Sequence, residues 1–350
     1  MKTREYYYDN AKFILIFLVV FGHFITSFIG KKTIEEIYIF IYLFHMPAFI
    51  LISGYFSKGF QKPGYVLKIT KKILVPYLLF QVIYSFYYYV LLDKSELVIP
   101  ILKPQWSLWF LLSLYCWHLL LFVFTKIKYS LFIALLIGLI AGYVDAIGNV
   151  LSISRTLVFF PIFLLGFYMK KEHFLKLTSN KGKIISAVVL AAMILVIHFV
   201  LVEMPKEWMY GSKSYEKLGA GWEGAFIRLL YYGMSMVMIF SFLAFVPKKE
   251  YFFTKWGART LYIYLLHGFI IRYFRETELI SFIKETGSYY LLLLFAIVVT
   301  LFLSSNIVYV MTQPILELRV DGIRNAFSRK LAARKKNREE DRKEKGGKVD

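Results

Sequence analysis

Residues 9–24 read DNAKFILIFLVVFGHF. An aspartate and a lysine open the stretch, an apolar run fills Phe13 to Phe21, and Gly22–His23 follows with apolar chain still beyond it. A helix that crosses a bilayer needs about 20 largely apolar residues, which this run supplies when it continues to Ile29. An ionisable side chain inside such a run is costly and usually functional. The stretch therefore raises two matters: whether the whole chain is a membrane bundle, and what a mid-membrane histidine does.

Composition addresses the first. Of 350 residues, 58% are apolar and 19% aromatic, against an apolar share of about 45–50% in soluble domains. Several windows exceed the roughly 18 apolar residues of a span, and a soluble core would have to bury all of them at once. The expected fold is an all-α integral membrane protein. Net charge is +20, but the lysines and arginines sit in short segments between apolar runs and in one tail. That is the positive-inside pattern, so no nucleic-acid partner is implied. Cys116 is the single cysteine; it permits neither an intrachain disulfide nor a Cys-type metal cluster, and no metal site is expected. The first apolar run has no small-residue cleavage site behind it and reads as a retained span rather than a signal peptide.

A bundle of about ten transmembrane helices is expected, over 13–29, 34–56, 73–92, 106–124, 131–147, 156–169, 184–202, 225–246, 260–273 and 289–311, the sixth and ninth being shortest. With the N-terminus in the cytoplasm, the basic loops at 57–72, 126–128, 170–183 and 247–255 all fall inside, and the outer loops are sparser in Lys and Arg or balanced by Glu. An even number of spans then makes both termini cytoplasmic. Residues 1–313 form the membrane domain, and 314–350 a basic, partly disordered cytoplasmic tail drawn to anionic membrane lipids. No internal repeat is evident, which disfavours an inverted-repeat transporter.

Polar residues within the spans carry the functional information. They are Lys12, His23, His45, His118, His198, His267 and Asn306, with Asp145 and Arg155 flanking an outer loop. His23 lies about 16 Å of helical rise beyond Lys12, roughly three turns, so both project from one face. Asp9 stands one turn before Lys12 and would lie beside it. Gly22 permits close approach next to His23. His45 and His267 fall at the same depth as His23. Pro47 is expected to kink the second span just after His45. His118 and His198 read as packing residues hydrogen-bonded to a neighbouring helix, while for His45 and His267 packing and function are equally open. Trp106 and Trp109 suit an interfacial aromatic belt better than a ligand contact on position alone, and stand as candidate substrate contacts.

A buried neutral histidine accepts protons near neutral pH, and a basic inner face suits a phosphorylated ligand arriving from the cytoplasm. Group transfer from an activated donor to a hydroxyl fits both. A transporter or exporter that uses membrane histidines for proton coupling is the alternative.

DNAKFILIFLVVFGHF resembles the first-span motif of the acyltransferase family 3 integral membrane proteins: a basic residue, ten residues, then His. FHMPAFILISGYF, WSLWFLLSLY, SRTLVFFPIFLLGFYM and TLYIYLLHGFII resemble later signature segments of its fucose 4-O-acetylase-like branch, in the same order. The resemblance implies O-acylation, commonly acetylation, of a carbohydrate or lipid-linked glycan in a bacterial cell membrane. It implies acetyl-CoA as cosubstrate and no permanently bound cofactor. Lys12 stands where many members carry Arg; it loses the bidentate phosphate fork but keeps the point charge. No esterase-like domain is expected after the tenth span. On this pattern His23 is the expected catalytic base, with His45 and His267 orienting the acceptor or polarising the carbonyl. Lys12, with Asp9 beside it and Lys71 and Lys72 in the inner loop, would hold the CoA phosphates, and Arg155 would contact an acidic or phosphorylated glycan.

Overall fold

The computed structural model describes residues 6–148 and 150–316. Among them all regular structure is helical. The helices are α1 (Tyr6–Ile25), α2 (Lys32–Tyr42), α3 (His45–Tyr55), α4 (Tyr65–Ile69), α5 (Val75–Leu91), α6 (Trp109–Phe124), α7 (Ser130–Ile140) and α8 (Ile153–Tyr168). They continue with α9 (Lys171–Leu177), α10 (Asn180–Phe199), α11 (Gly224–Phe245), α12 (Thr260–Arg275), α13 (Leu279–Thr286), α14 (Tyr290–Leu303) and α15 (Asn306–Leu316).

Each of the ten apolar runs is helical, and the chain is a multi-pass membrane protein. Full crossing length is met less often than expected. Among the described residues seven helical runs are long and apolar enough, or eight when α14 and α15 count as one. The fifth run, not the sixth, is the shortest, because α7 gives way to tight turns at Ala141–Tyr143 and Asp145–Ile147. The sixth begins earlier than its apolar residues indicate, since Arg155 is accommodated inside α8. The first compact unit ends at Ser305, and α15 belongs to a second unit. The expected tail lies outside the described residues from 317 onward.

The centre of the first unit is the packing of α3 against α8, with α1 alongside. Gly54 on α3 and Gly166 on α8 make it possible: a methyl at either would meet the other helix's backbone, Phe163 in one case and Leu51 in the other. Without side chains at these positions the two backbones touch, as small residues allow between membrane helices. The outer helices present apolar side chains instead. On α10, Ile184, Val188, Leu195 and Phe199 are exposed, a surface suited to lipid tails and not to water.

The second span is two helices. The break falls at Leu43–Phe44, before His45 rather than after it. Pro47 is the cause: its ring excludes the carbonyl of Leu43, four residues back, from a helical bond. That carbonyl accepts from the Ser235 hydroxyl on α11 at 2.6 Å. Pro47 thereby sits in the first turn of α3, where its missing N–H is one that no helix would have used.

Candidate active site

α1 places Lys12, Ile16, Val19 and His23 along one face, and that face lines two cavities. The first, about 340 Å³, holds His23 together with Tyr42, His45, Trp106, Trp109, Arg155, Tyr210 and Arg275. The second, about 380 Å³, holds Lys12, Lys72 and His118 among apolar walls. Met46 and Tyr264 line both, so they form the partition between the cavities. The Tyr264 hydroxyl is tied to the Ser107 carbonyl, which fixes the ring in that partition.

Of the three histidines expected at one depth, His23 and His45 line the first cavity, and His267 stands beside His23 without lining it. The rings of His23 and His267 are 5.5 Å apart, and Trp106 lies against both at 4.4 and 5.2 Å. His45 Nδ1 donates to the Ile41 carbonyl at 2.8 Å. His267 Nδ1 donates to the Ile263 carbonyl at 3.1 Å. A carbonyl can only accept, so in the neutral state each ring carries its hydrogen on Nδ1 and leaves Nε2 as an acceptor. The Nε2 of His267 is buried with no hydrogen-bond partner. Buried polar atoms are nearly always satisfied, so this atom is one of a few exceptions among the described residues. His23 Nδ1 lies 3.2 Å from the Tyr42 hydroxyl, which leaves its Nε2 to the cavity.

Trp106 and Trp109 are not in a surface belt. Both line the His23 cavity. Trp106 also has φ of 34°, a left-handed backbone that bulky residues rarely adopt and that clusters at functional sites. Its ring fits because Gly268, beside His267, has no side chain; a Cβ there would lie 2.8 Å from Trp106 Cε3. Gly22 serves His23 in the same way, with Tyr42 Cε2 at 3.0 Å from where its Cβ would be.

Lys12 pairs with Asp9 at 2.8 Å, as their spacing indicated. Lys72 joins Lys12 in the second cavity, whereas Lys71 does not line it: the two are adjacent on the π-helical turn Thr70–Leu74 and project apart. His118 bonds Tyr65 at 2.8 Å and His198 bonds Glu36 at 2.9 Å, each tying one helical segment to another. Arg155 lies in the His23 cavity, its Nε donating to the Tyr210 carbonyl at 3.3 Å and its guanidinium 5.0 Å over the Trp109 ring.

Sequence reading missed four groups. Arg275 donates to the His23 carbonyl at 3.1 Å and to Thr26 Oγ1 at 2.5 Å, capping α1 from α12. The apolar run 260–273 ends before it, so hydropathy alone leaves Arg275 in an outer loop. Tyr42 and Tyr264 were passed over among many tyrosines. Arg228, 3% exposed, is held between Trp208 and Tyr215. Those two aromatics belong to the long segment 201–223, which is folded down and contributes Met209 and Tyr210 to the cavity wall. Lys206 pairs with Glu35, and the Tyr210 and Tyr38 hydroxyls bond at 2.5 Å. The segment therefore covers the cavity. Among the described residues no group of His, Cys, Asp and Glu is arranged to hold a metal ion.

A model of an acyltransferase domain, that of acyltransferase family 3, matches residues 5–308. The chain belongs to this family of membrane acyltransferases. Two nodulation proteins NolL, from Mesorhizobium japonicum and Sinorhizobium fredii, are 43% and 41% identical to it over 61 residues. The match spans about one-sixth of each relative, 16% and 17% of their lengths, and 16% of this chain. No solved structure matches.

Proposed function

We propose that the protein moves an acetyl or other short acyl group from acyl-CoA to a hydroxyl of a carbohydrate or glycan precursor, through the partition between the two cavities. The observation that carries this reading is the single α1 face that bears a cation in one cavity and an imidazole in the other. The positive-inside rule orients the Lys12 end to the cytoplasm, where acyl-CoA is found. Lys12 and Lys72 hold its phosphates as point charges. The apolar second cavity takes the pantetheine arm, and the thioester reaches Met46 and Tyr264.

For His23 to act as base, Nδ1 carries the hydrogen and donates to the Tyr42 oxygen, and Nε2 takes the proton of the acceptor hydroxyl. The hydroxyl oxygen forms its bond to the thioester carbon. The C–S bond breaks, and the thiolate recovers the proton from His23 as free thiol. His45, Met46 and Pro47, the first turn of α3, line the His23 cavity. The positive end of that helix faces the developing oxyanion. His45, which lines the cavity with an acceptor lone pair at Nε2, orients the acceptor hydroxyl rather than polarising the carbonyl, and His267 supports the His23 and Trp106 rings.

The test is thiol release from acetyl-CoA by purified protein with candidate sugars. His23→Ala is expected to lower acyl transfer by roughly 100-fold or more, the scale of a lost general base. Lys12→Ala is expected to weaken donor binding with a smaller change in kcat. Full transfer by a folded His23→Ala variant, or glycan flux without thiol release, would refute the reading.

A further inference from the structure

We infer that the His23 cavity takes an acceptor bearing an anionic group, a carboxylate or a phosphate, bound between Arg155 and Arg275. This rests on the reading of that cavity as the acceptor side. Two arginines enter it from different helices, Arg155 from α8 and Arg275 from α12. No aspartate or glutamate lines it. Among the described residues neither arginine has a carboxylate within the 4.0 Å of an ion pair. Their protein partners are neutral: the Tyr210 and His23 carbonyls, and the Thr26 hydroxyl. Arg275 keeps a buried Nε with no partner at all.

Nearby cations are treated differently. Arg272, one turn before Arg275, is paired with Glu276 at 3.2 Å, Lys12 with Asp9 at 2.8 Å, and Lys206 with Glu35. Among the described residues Arg228 also lacks a carboxylate, but it is packed between Trp208 and Tyr215 and does not line the cavity; Arg155 and Arg275 are the arginines without a counter-ion that do. An unpaired charge away from bulk water is costly, and a ligand oxyanion offsets that cost with charge-assisted hydrogen bonds.

The surroundings define the rest of the ligand. Each arginine lies over a tryptophan, Arg155 over Trp109 at 5.0 Å and Arg275 over Trp106 at 5.7 Å. Broad aromatic faces beside planar cations suit a sugar ring with an acidic substituent. Arg275 and Trp106 also line a side cavity of about 280 Å³ with Gln105 and Tyr88. That gives the acceptor room to continue past Trp106 as a longer glycan.

Direct binding separates this inference from the acyl-transfer reading. The full chain in nanodiscs is titrated with methyl β-glucuronide, glucose 6-phosphate and neutral methyl β-glucoside, read by ligand-observed NMR. At least one anionic probe is expected to bind about 10- to 100-fold tighter than the glucoside, the factor one charge-assisted contact supplies. Which of the two does so distinguishes a uronate from a phosphorylated acceptor. Arg155→Gln is expected to erase the preference, and Arg155→Lys to restore part of it. Because Arg275 also caps α1, its conservative Arg275→Lys variant is used, and is expected to reduce the preference. Acetyl-CoA affinity should be unaltered in Arg155→Gln and weakened in Lys12→Ala. Equal affinity for all three probes, no anionic binding at ~50 mM, a preference that survives Arg155→Gln, or loss of acetyl-CoA affinity in that variant would each overturn the inference. Thiol release by His23→Ala, measured on the same preparations, decides the acyl-transfer reading separately.

Discussion

The contact of α3 with α8 gives the sharpest stability prediction, because its geometry fixes both sign and size. A methyl at Gly166 would lie 2.8 Å from the Leu51 carbonyl carbon and 3.0 Å from its Cα, and closer still to the carbonyl oxygen. Carbon atoms in ordinary contact sit about 3.5–4.0 Å apart, so the helices must part by something near an ångström. Backbone cannot swing aside as a long side chain can. Overpacking of this kind costs about 1–3 kcal/mol. At roughly 2–4 °C per kcal/mol for large domains, Gly166→Ala should lower Tm by several degrees. Gly54→Ala meets the Phe163 carbonyl and the Phe167 nitrogen at 3.1 Å and should act alike. The internal control is Gly233→Ala on α11, where an added Cβ meets nothing within 4 Å; it should be neutral or gain up to about 1 kcal/mol of helix propensity. Thermal unfolding in detergent, followed by intrinsic fluorescence, reads all three. An unaltered Tm in Gly166→Ala, or a loss in Gly233→Ala matching it, would refute the packing account. Activity should fall with the two damaging variants, since α3 carries His45 and α8 carries Arg155.

Two further outcomes follow from polar groups. His267→Leu removes a buried Nε2 acceptor that has no partner together with the Nδ1 bond to the Ile263 carbonyl; the two losses oppose each other, so stability is expected to change little, while acyl transfer falls. Parallel melting and thiol-release assays check this, and a destabilised variant with full activity would assign His267 to packing. The covering segment should loosen in acid. The Asp145 carboxyl is held below the ordinary carboxylate range chiefly by its hydrogen bond with Lys217 and by Ser214, and Glu207 by its own backbone amide and Lys213. Folding depresses both, so their contribution is complete above the ordinary carboxylate range, about pH 4, and is lost as pH falls through the lower folded values. Hydrogen exchange across 201–223 should rise below about pH 4 while α3 stays protected; unaltered exchange would show that these pairs do not hold the segment.

The helical class, the ten apolar runs and the shared face of Lys12 and His23 were legible because each follows from periodicity and hydropathy alone. His23, His45 and His267 were found because an ionisable group in an apolar run is conspicuous. The tryptophans are harder to place for the opposite reason: an aromatic at the end of a span is ordinary, and nothing in WSLWF announces a left-handed backbone at Trp106. Its position depends on the space left by Gly268, more than 150 residues away in sequence. Arg275 was lost because its role as a cap for α1 joins two distant helices. Lys71 and Lys72 differ only through a π turn that shifts which of two neighbours faces inward, and no residue pattern specified it.

His-Met-Pro shows how a correct signal can be placed wrongly. A proline in an apolar run implies a kink, and it was expected after His45. Proline is best tolerated in the first turn of a helix, where its missing N–H serves no bond. The lower-energy arrangement therefore ends α2 and restarts the helix at His45, with Ser235 satisfying the Leu43 carbonyl. This restart does more than bend the span. It puts Met46 in the partition beside Tyr264, next to a His45 whose tautomer the Ile41 carbonyl fixes. A partition is needed on physical grounds. A thioester must meet a hydroxyl while bulk water is kept from it, and one continuous wet passage would satisfy only the first demand. In the proposed reaction an apolar side chain and an anchored tyrosine ring separate the two substrates until both are in place. The helix that carries Met46 also presents its positive end to the charge that then develops.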